Sequence, residues 1–413
     1  MSTRRIAYEV LLSVIEQGAY SNLALKEAAK SVSSSETAFL YALVYNALEH
    51  RSYVEYILSH YCKRQKKVVR TVLLLSAAEL LFLSTPPHAA INEAVELTRS
   101  LGKNSSCGLV NAILRRLDKE RGSLPSLPED PSKRLSVLYG CPEFIASEWI
   151  ASYGINGAEA IVSKRSSKMQ VRAQYPFTTA DLLKSLPCSV VQGKSDPNCL
   201  YLDEALNLDS NELFQSGKIA VQNEASMMIC RSLENLENAN VLDACAAPGG
   251  KSAYLSSLHS GNIHLTCWEI HSHRKELMDT AFKRLHVNAS TQQLDASVPH
   301  SEFISCFDAV LLDVPCSGFG LFSDKPDLRY NKSLSDIVSL SETQSRILFS
   351  CCDYVKPGGK LVYSTCTISK RENENQISHF LNSRPDYTLL EQKQFLPMVD
   401  GIDGFYYAVM KRS

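Results

Sequence analysis

From about Gln222 onward the 413-residue chain repeats one pattern, a short apolar run, a loop and a helical stretch, and few folds accept that repetition. Val241-Leu-Asp243 reads as a strand, followed by the loop Asp243-Ala-Cys-Ala-Ala-Pro-Gly-Gly-Lys251 and a helix from about Lys251 to Leu258. A second strand, Ile263 to Trp268, runs into Glu269 and precedes a helix from Arg274 to Leu285. A third, near Thr291, ends at Asp295; a fourth, Ala309 to Leu312, ends at Asp313; a fifth, Lys360 to Tyr363, ends just before Cys366. Such alternation predicts parallel βαβ units with helices on both faces of a sheet. Open α/β sheets bind ligands at the carboxyl ends of their strands, so the residues at those ends are the candidates for chemistry.

Earlier regions read differently. Ile6, Val10, Leu11, Val14 and Ile15, and then Leu40, Leu43, Val44, Ala47 and Leu48, recur at helical spacing, which predicts a helix bundle up to about residue 120. Pro125, Pro128, Pro131 and Pro142, set among Ser, Glu and Asp, interrupt that pattern and read as a linker. Between residues 142 and 221, helical stretches (Glu143 to Trp149, Gly157 to Ser163) precede extended pieces such as Met169 to Arg172, as in a small α/β unit.

Bulk properties exclude some classes. The run Thr71 to Leu83 is too short to span a bilayer and carries Glu79. No apolar segment follows Arg4 and Arg5 as a secretory leader requires, so the cytoplasm is the expected compartment, with no membrane partner. Thirteen cysteines form an odd set without a CxxC pair, so free thiols are expected rather than a disulfide framework or a zinc ribbon. Net charge is −1, but residues 1–130 hold 16 Lys and Arg against 13 Asp and Glu, which leaves 27 against 31 for the rest. Lys63, Arg64, Lys66, Lys67 and Arg70 form a basic cluster that suits either a phosphate contact or a solvated loop.

The glycine loop has neither the GxGxxG nor the GxxxxGK[ST] spacing, so it is not a dinucleotide or P-loop fingerprint. Gly249 and Gly250 still permit a tight turn and a close backbone approach, and their place between strand and helix favours cofactor binding. Glu269, with two acceptor oxygens, suits the hydroxyls of a ribose. Cys245, Cys267, Cys306, Cys351 and Cys352 read as core or surface thiols. Cys316 and Cys366 differ, because each lies just beyond a strand end among small or polar residues, where loop amides or a cation can lower a thiol pKa. His271 and His273 lack further ligands at a supporting spacing, so no metal is expected.

In this order, Asp243-Ala-Cys-Ala-Ala-Pro-Gly-Gly-Lys251, Asp313-Val-Pro-Cys-Ser-Gly318 and Ser364-Thr-Cys-Thr367 resemble the S-adenosylmethionine-dependent RNA cytosine-C5 methyltransferases. Glu16-Gln-Gly-Ala-Tyr-Ser-Asn22, Pro86-Pro-His-Ala-Ala90 and Leu109-Val-Asn-Ala-Ile-Leu-Arg-Arg116 resemble the NusB-like helical domain of the bacterial 16S ribosomal RNA methyltransferases of the RsmB/Sun type. The resemblance covers nearly the whole chain and is weakest from about 142 to 220.

It implies an all-α NusB-like RNA-binding domain (1–128), a small α/β RNA-recognition unit (142–221) and a Rossmann-like α/β methyltransferase domain (222–413). The implied reaction is transfer of a methyl group from S-adenosylmethionine to C5 of a cytosine in 16S ribosomal RNA, by a monomer. By the resemblance, Cys366 is the nucleophile, Asp313 bonds the base near N3, Cys316 promotes release, and Lys251 stands near the reacting centre. Cys245, Ala246, Ala247, Pro248, Gly249, Gly250 and Lys251 would cradle the cofactor, Glu269 its ribose and Asp295 its adenine edge, with Asp313 nearby. The target base must leave its stack, and Lys63 to Arg70 would contact phosphates. Methylation of another RNA or of DNA, or an inactive RNA-binding assembly or antitermination factor, are the alternatives. The sequence departs from the family pattern at Gln222-Asn223, where Gln-Asp is commoner, and at Asp327-Leu-Arg-Tyr330, where relatives often carry Pro-Asp-Ile-Lys-Trp.

Overall fold

The computed structural model describes residues 2–63, 65–164, 168–322, 326–330 and 332–413. The chain divides into two compact units, residues 1–163 with 322–332, and residues 164–321 with 333–413.

The first unit is helical. Helices Thr3–Gln17, Ser34–Glu49, Lys67–Phe82, Pro87–Ser100 and Cys107–Lys119 bury one apolar core, and of the residues chosen by periodicity only Ile15 stays partly exposed. The proline-rich stretch is not wholly a linker, since Pro131–Tyr139 is a helix. Pro131 occupies the first helical turn, where its missing N–H costs nothing. Asp130 caps that turn by accepting from Lys133 N (2.9 Å), and Gly140 ends the helix at φ 70°. The predicted stretches 143–149 and 157–163 form one helical run, Glu143–Ser163, broken at Gly154 (φ 72°), and it belongs with the helical unit.

The second unit holds two sheets. Strands β1 (Gln170–Ala173), β2 (Val190–Gln192), β3 (Leu200–Leu202) and β4 (Ile219–Val221) form an antiparallel sheet in the order β2-β3-β1-β4. Strands β5 (Asn240–Asp243), β6 (His264–Trp268), β7 (Ala289–Gln292), β8 (Phe307–Asp313), β9 (Val355–Thr365), β10 (Tyr387–Gln394) and β11 (Tyr406–Arg412) form a seven-stranded sheet in the order β10-β11-β9-β8-β5-β6-β7. Strands β5 to β9 run parallel, as expected from the alternation, and the antiparallel β10 and β11 extend the β9 edge.

Side chains alternate across the sheet with period two. Val241, Leu265, Cys267, Ala309, Leu311 and Val362 pack on one face, whereas Leu242, Trp268, Val310, Leu312, Leu361 and Tyr363 pack on the other. Helices 224–231, 250–258 and 272–285 cover the first face, and 334–351 and 374–383 the second. With both faces covered, the parallel strands leave their carboxyl ends as the place for chemistry.

Candidate active site

Register assembles the site. In the parallel β8–β9 pair Asp313 lies opposite Ser364, and Ser364 Oγ donates to Asp313 Oδ1 at 3.0 Å. Cys316, three residues beyond Asp313, and Cys366, two beyond Ser364, therefore leave the sheet side by side. Their Sγ atoms are 3.3 Å apart, and the Cys366 amide donates to the Cys316 sulfur, also at 3.3 Å. Neither cysteine is in a disulfide, nor is any other of the thirteen. The Cys366 contact, then burial, then the charge of Glu372 push the Cys316 thiol well above its ordinary pKa.

Helix 250–258 brings the cation. Lys251 Nζ donates to Asp313 Oδ2 at 2.7 Å, with side-chain exposures of 11% for Lys251 and 32% for Asp313. Burial opposes the Lys251 charge, but Asp313 outweighs it and holds the amine above its ordinary value. All four residues predicted to be catalytic are thus drawn to adjoining ends of β8, β9 and the helix after β5.

The turn before that helix is tight. Gly249 N donates to Ala246 O (2.7 Å) and Gly249 has φ 96°, a conformation open mainly to glycine. A Cβ at Gly249 would stand 2.6 Å from the Phe282 ring, whereas one at Gly250 would meet nothing within 4 Å. That open space beside the first helical amides, which have no intrahelical acceptor, fits a ligand held by backbone. At the end of β5, Asp243 is buried and accepts from Ser252 Oγ (2.6 Å), while among the described residues its Oδ1 has no partner. Burial, with a smaller push from Asp313, lifts the Asp243 carboxyl to about 7 against the pull of the Ser252 bond. The motif contains Asp243, but the predicted site began at Cys245.

Glu269 and Asp295 follow the neighbouring strands β6 and β7. Glu269 is 3% exposed, accepts from His271 N (2.9 Å) and lies 3.1 Å from Arg274 Nη1. Asp295 accepts from Ser297 N (2.8 Å) and Ser297 Oγ (2.7 Å). His271 and His273 flank the start of helix 272–285, and among the described residues no group of His, Cys, Asp and Glu is placed to hold a metal ion.

Both departures from the family pattern have structural partners. Asn223 caps helix 224–231 by accepting from Ala225 N (2.9 Å), and its amide donates to Asp403, which also pairs with Lys164 at 2.6 Å. An aspartate at 223 would face the Asp403 carboxylate. Arg329 gives its guanidinium to the carbonyls of Tyr139 (2.6 Å) and Phe322 (3.2 Å) within the helical unit. In the basic cluster, Lys67 and Arg70 both pair with Glu16, while Arg64 lies outside the described residues.

A Rossmann-like sheet with a glycine turn after its first parallel strand and a row of polar groups along its carboxyl edge is the architecture of S-adenosylmethionine-dependent methyltransferases, and methyl transfer from that donor is the class of this chain. A model of the 16S rRNA methyltransferase RsmB/F family matches residues 230–411, and one of the NusB family matches residues 1–119. Probable ribosomal RNA small subunit methyltransferase B of Bacillus subtilis (strain 168) is 34% identical over all of this chain and 99% of that protein. Ribosomal RNA small subunit methyltransferase B of Shewanella oneidensis is 31% identical over the whole of both. The crystal structure of PH0851 superposes with a TM-score of 0.83 at 22% identity, covering 100% of each chain. That of NSun6 from Pyrococcus horikoshii with SFG gives 0.58 at 19%, covering 66% of this chain and 98% of the other. The chain belongs to the 16S rRNA methyltransferase RsmB/F family. Among the described residues no helix is long and apolar enough to cross a membrane.

Proposed function

We propose that the chain methylates C5 of a cytosine in 16S ribosomal RNA through a covalent adduct between Cys366 and C6 of the base. The observation that carries this reading is the pair of thiols, 3.3 Å apart, beside the Asp313–Lys251 ion pair. Cytosine C5 is a weak nucleophile; a thiolate bonding to C6 moves electron density onto C5. When bound, S-adenosylmethionine supplies an electrophilic methyl group, and the turn Cys245 to Gly250 would hold it.

Asp313 would hydrogen-bond the base near N3 and support its protonation as sulfur adds, with Lys251 fixing the carboxylate. After methylation, loss of the C5 proton and cleavage of the C6–S bond restore the base and the free sulfur, and Cys316 would promote that release. Glu269 would take the ribose in competition with Arg274, and Asp295 the adenine edge. Cys316 is the alternative nucleophile, and the Cys366 contact, burial and the charge of Glu372 oppose its ionisation.

RNA recognition would fall to the helical domain (1–128) and to the antiparallel sheet within residues 142–221. An unstacked base is required, since a paired cytosine hides C6.

The test is a pair of variants incubated with 16S ribosomal RNA and the methyl donor. Cys316→Ala is expected to accumulate a denaturant-resistant protein–RNA adduct, and Cys366→Ala to form none. Normal turnover by Cys316→Ala without an adduct would overturn the release role, and an adduct with Cys366→Ala would overturn the choice of nucleophile.

A further inference from the structure

Glu372 lies outside the motifs that mark the site, yet it is fully buried, at 0% exposure. Its Oε1 accepts from Ser317 N (2.8 Å) and Gln344 Nε2 (3.0 Å), and its Oε2 accepts from Ser317 Oγ (2.6 Å). Gln344 Nε2 also donates to Pro315 O (2.9 Å), and Ser317 Oγ contacts Thr367 Oγ1 (2.7 Å). One carboxylate therefore ties the loop of Cys316 to the segment that follows Cys366, through residues adjacent to each thiol. A buried carboxylate acts at short range and low dielectric on whatever charge forms beside it.

Two sulfurs at 3.3 Å can share one proton. With the negative charge of Glu372 next to Ser317, a thiolate at 316 meets repulsion, whereas Lys251 favours a thiolate at 366. We propose that Glu372 is a positioning residue of the two-thiol centre, which fixes the separation of the sulfurs and directs their shared proton to Cys316, so that Cys366 is the sulfur that ionises. This deepens the proposed function by explaining why two nearby thiols in one site take different roles. Among the described residues, the titratable groups facing the pair include Lys251 and Asp313 at the sheet edge, Tyr363, whose hydroxyl donates to Glu372 O (2.6 Å), and Glu372 itself.

The test is the pH profile of alkylation of the full-length chain by iodoacetamide, with peptide masses reporting each cysteine separately. In the wild type, Cys366 is expected to react at lower pH than Cys316. Glu372→Gln removes the charge and keeps the shape, and is expected to raise the Cys316 rate about tenfold at a fixed pH below its midpoint, as one pKa unit implies. An unchanged Cys316 profile in Glu372→Gln overturns the proposal. So does a wild-type chain in which Cys316 reacts at or below the pH of Cys366, a readout that stands if the variant fails to fold. No RNA is needed, so the expected order of alkylation together with absent RNA methylation would reject the proposed function and leave the role of Glu372 intact.

Discussion

Lys251 and Asp313 are joined by a 2.7 Å ion pair across 62 positions of sequence, the lysine from the glycine-turn helix and the aspartate from the end of β8. The pair links the glycine turn to the thiol side, because the backbone of Lys251 lies in the first turn of the helix and its ammonium holds the carboxylate.

Lys251→Met should therefore leave Asp313 without its cation. Removing one partner of a buried pair costs more than the pair is worth, and the partial exposure of Asp313 reduces that penalty, to about 1–3 kcal/mol. Urea denaturation should show this loss, and single-turnover methyl transfer should fall at least about tenfold, equivalent to ~1.4 kcal/mol of barrier. Wild-type stability and rate would mean that the ion pair is incidental.

Gly320→Ala tests the support under Cys366. Gly320 N donates to Cys366 O (3.0 Å), and a Cβ on Gly320 would stand 1.7 Å from Gly404 O. The backbones must separate, at a cost of about 1–3 kcal/mol. Adduct formation should drop while donor affinity, measured by calorimetry, is retained, since the glycine turn is untouched.

Asp243→Asn addresses pH. The folded carboxyl titrates at about 7, above its unfolded value, so as pH rises the unfolded state releases its proton first. The wild type should lose stability from about pH 4 to about pH 7, at ~1.4 kcal/mol per unit, and level off above. The asparagine variant lacks this slope, so its stability relative to wild type should rise by about 2–3 kcal/mol between pH 5 and pH 8. An equal difference at both pH values would mean that burial does not hold the proton.

Lys63→Ala with Lys66→Ala probes the basic cluster. Lys67 and Arg70 are already paired with Glu16, so Lys63 and Lys66 are the better candidates for phosphate contacts. The double variant should bind ribosomal RNA more weakly and reduce the slope of log affinity against log salt by about 1–2. An unchanged slope would move the RNA contact elsewhere.

Local pattern alone determined the helical first part, the five parallel strands and the residues at their carboxyl ends, because burial on two faces imposes short apolar runs and helical covers impose a 3.6-residue repeat. Contiguous motifs also marked Lys251, Asp313, Cys316 and Cys366. The hairpin β10–β11 escaped because β10 is a mostly exposed edge strand, Tyr387-Thr-Leu-Leu-Glu-Gln-Lys-Gln394, whose pairing is set by β11 and not by its own alternation. Helix 131–139 is not legible in the sequence because proline, which breaks helix interiors, here occupies a first turn.

Only the tertiary structure decided which distant groups meet. The β8–β9 register put Cys316 against Cys366, and the buried Glu372 joined their loops. Strand register is a property of paired chains, and the ionisation of a buried group depends on neighbours contributed by other elements; neither is encoded in the spacing of residues along one segment.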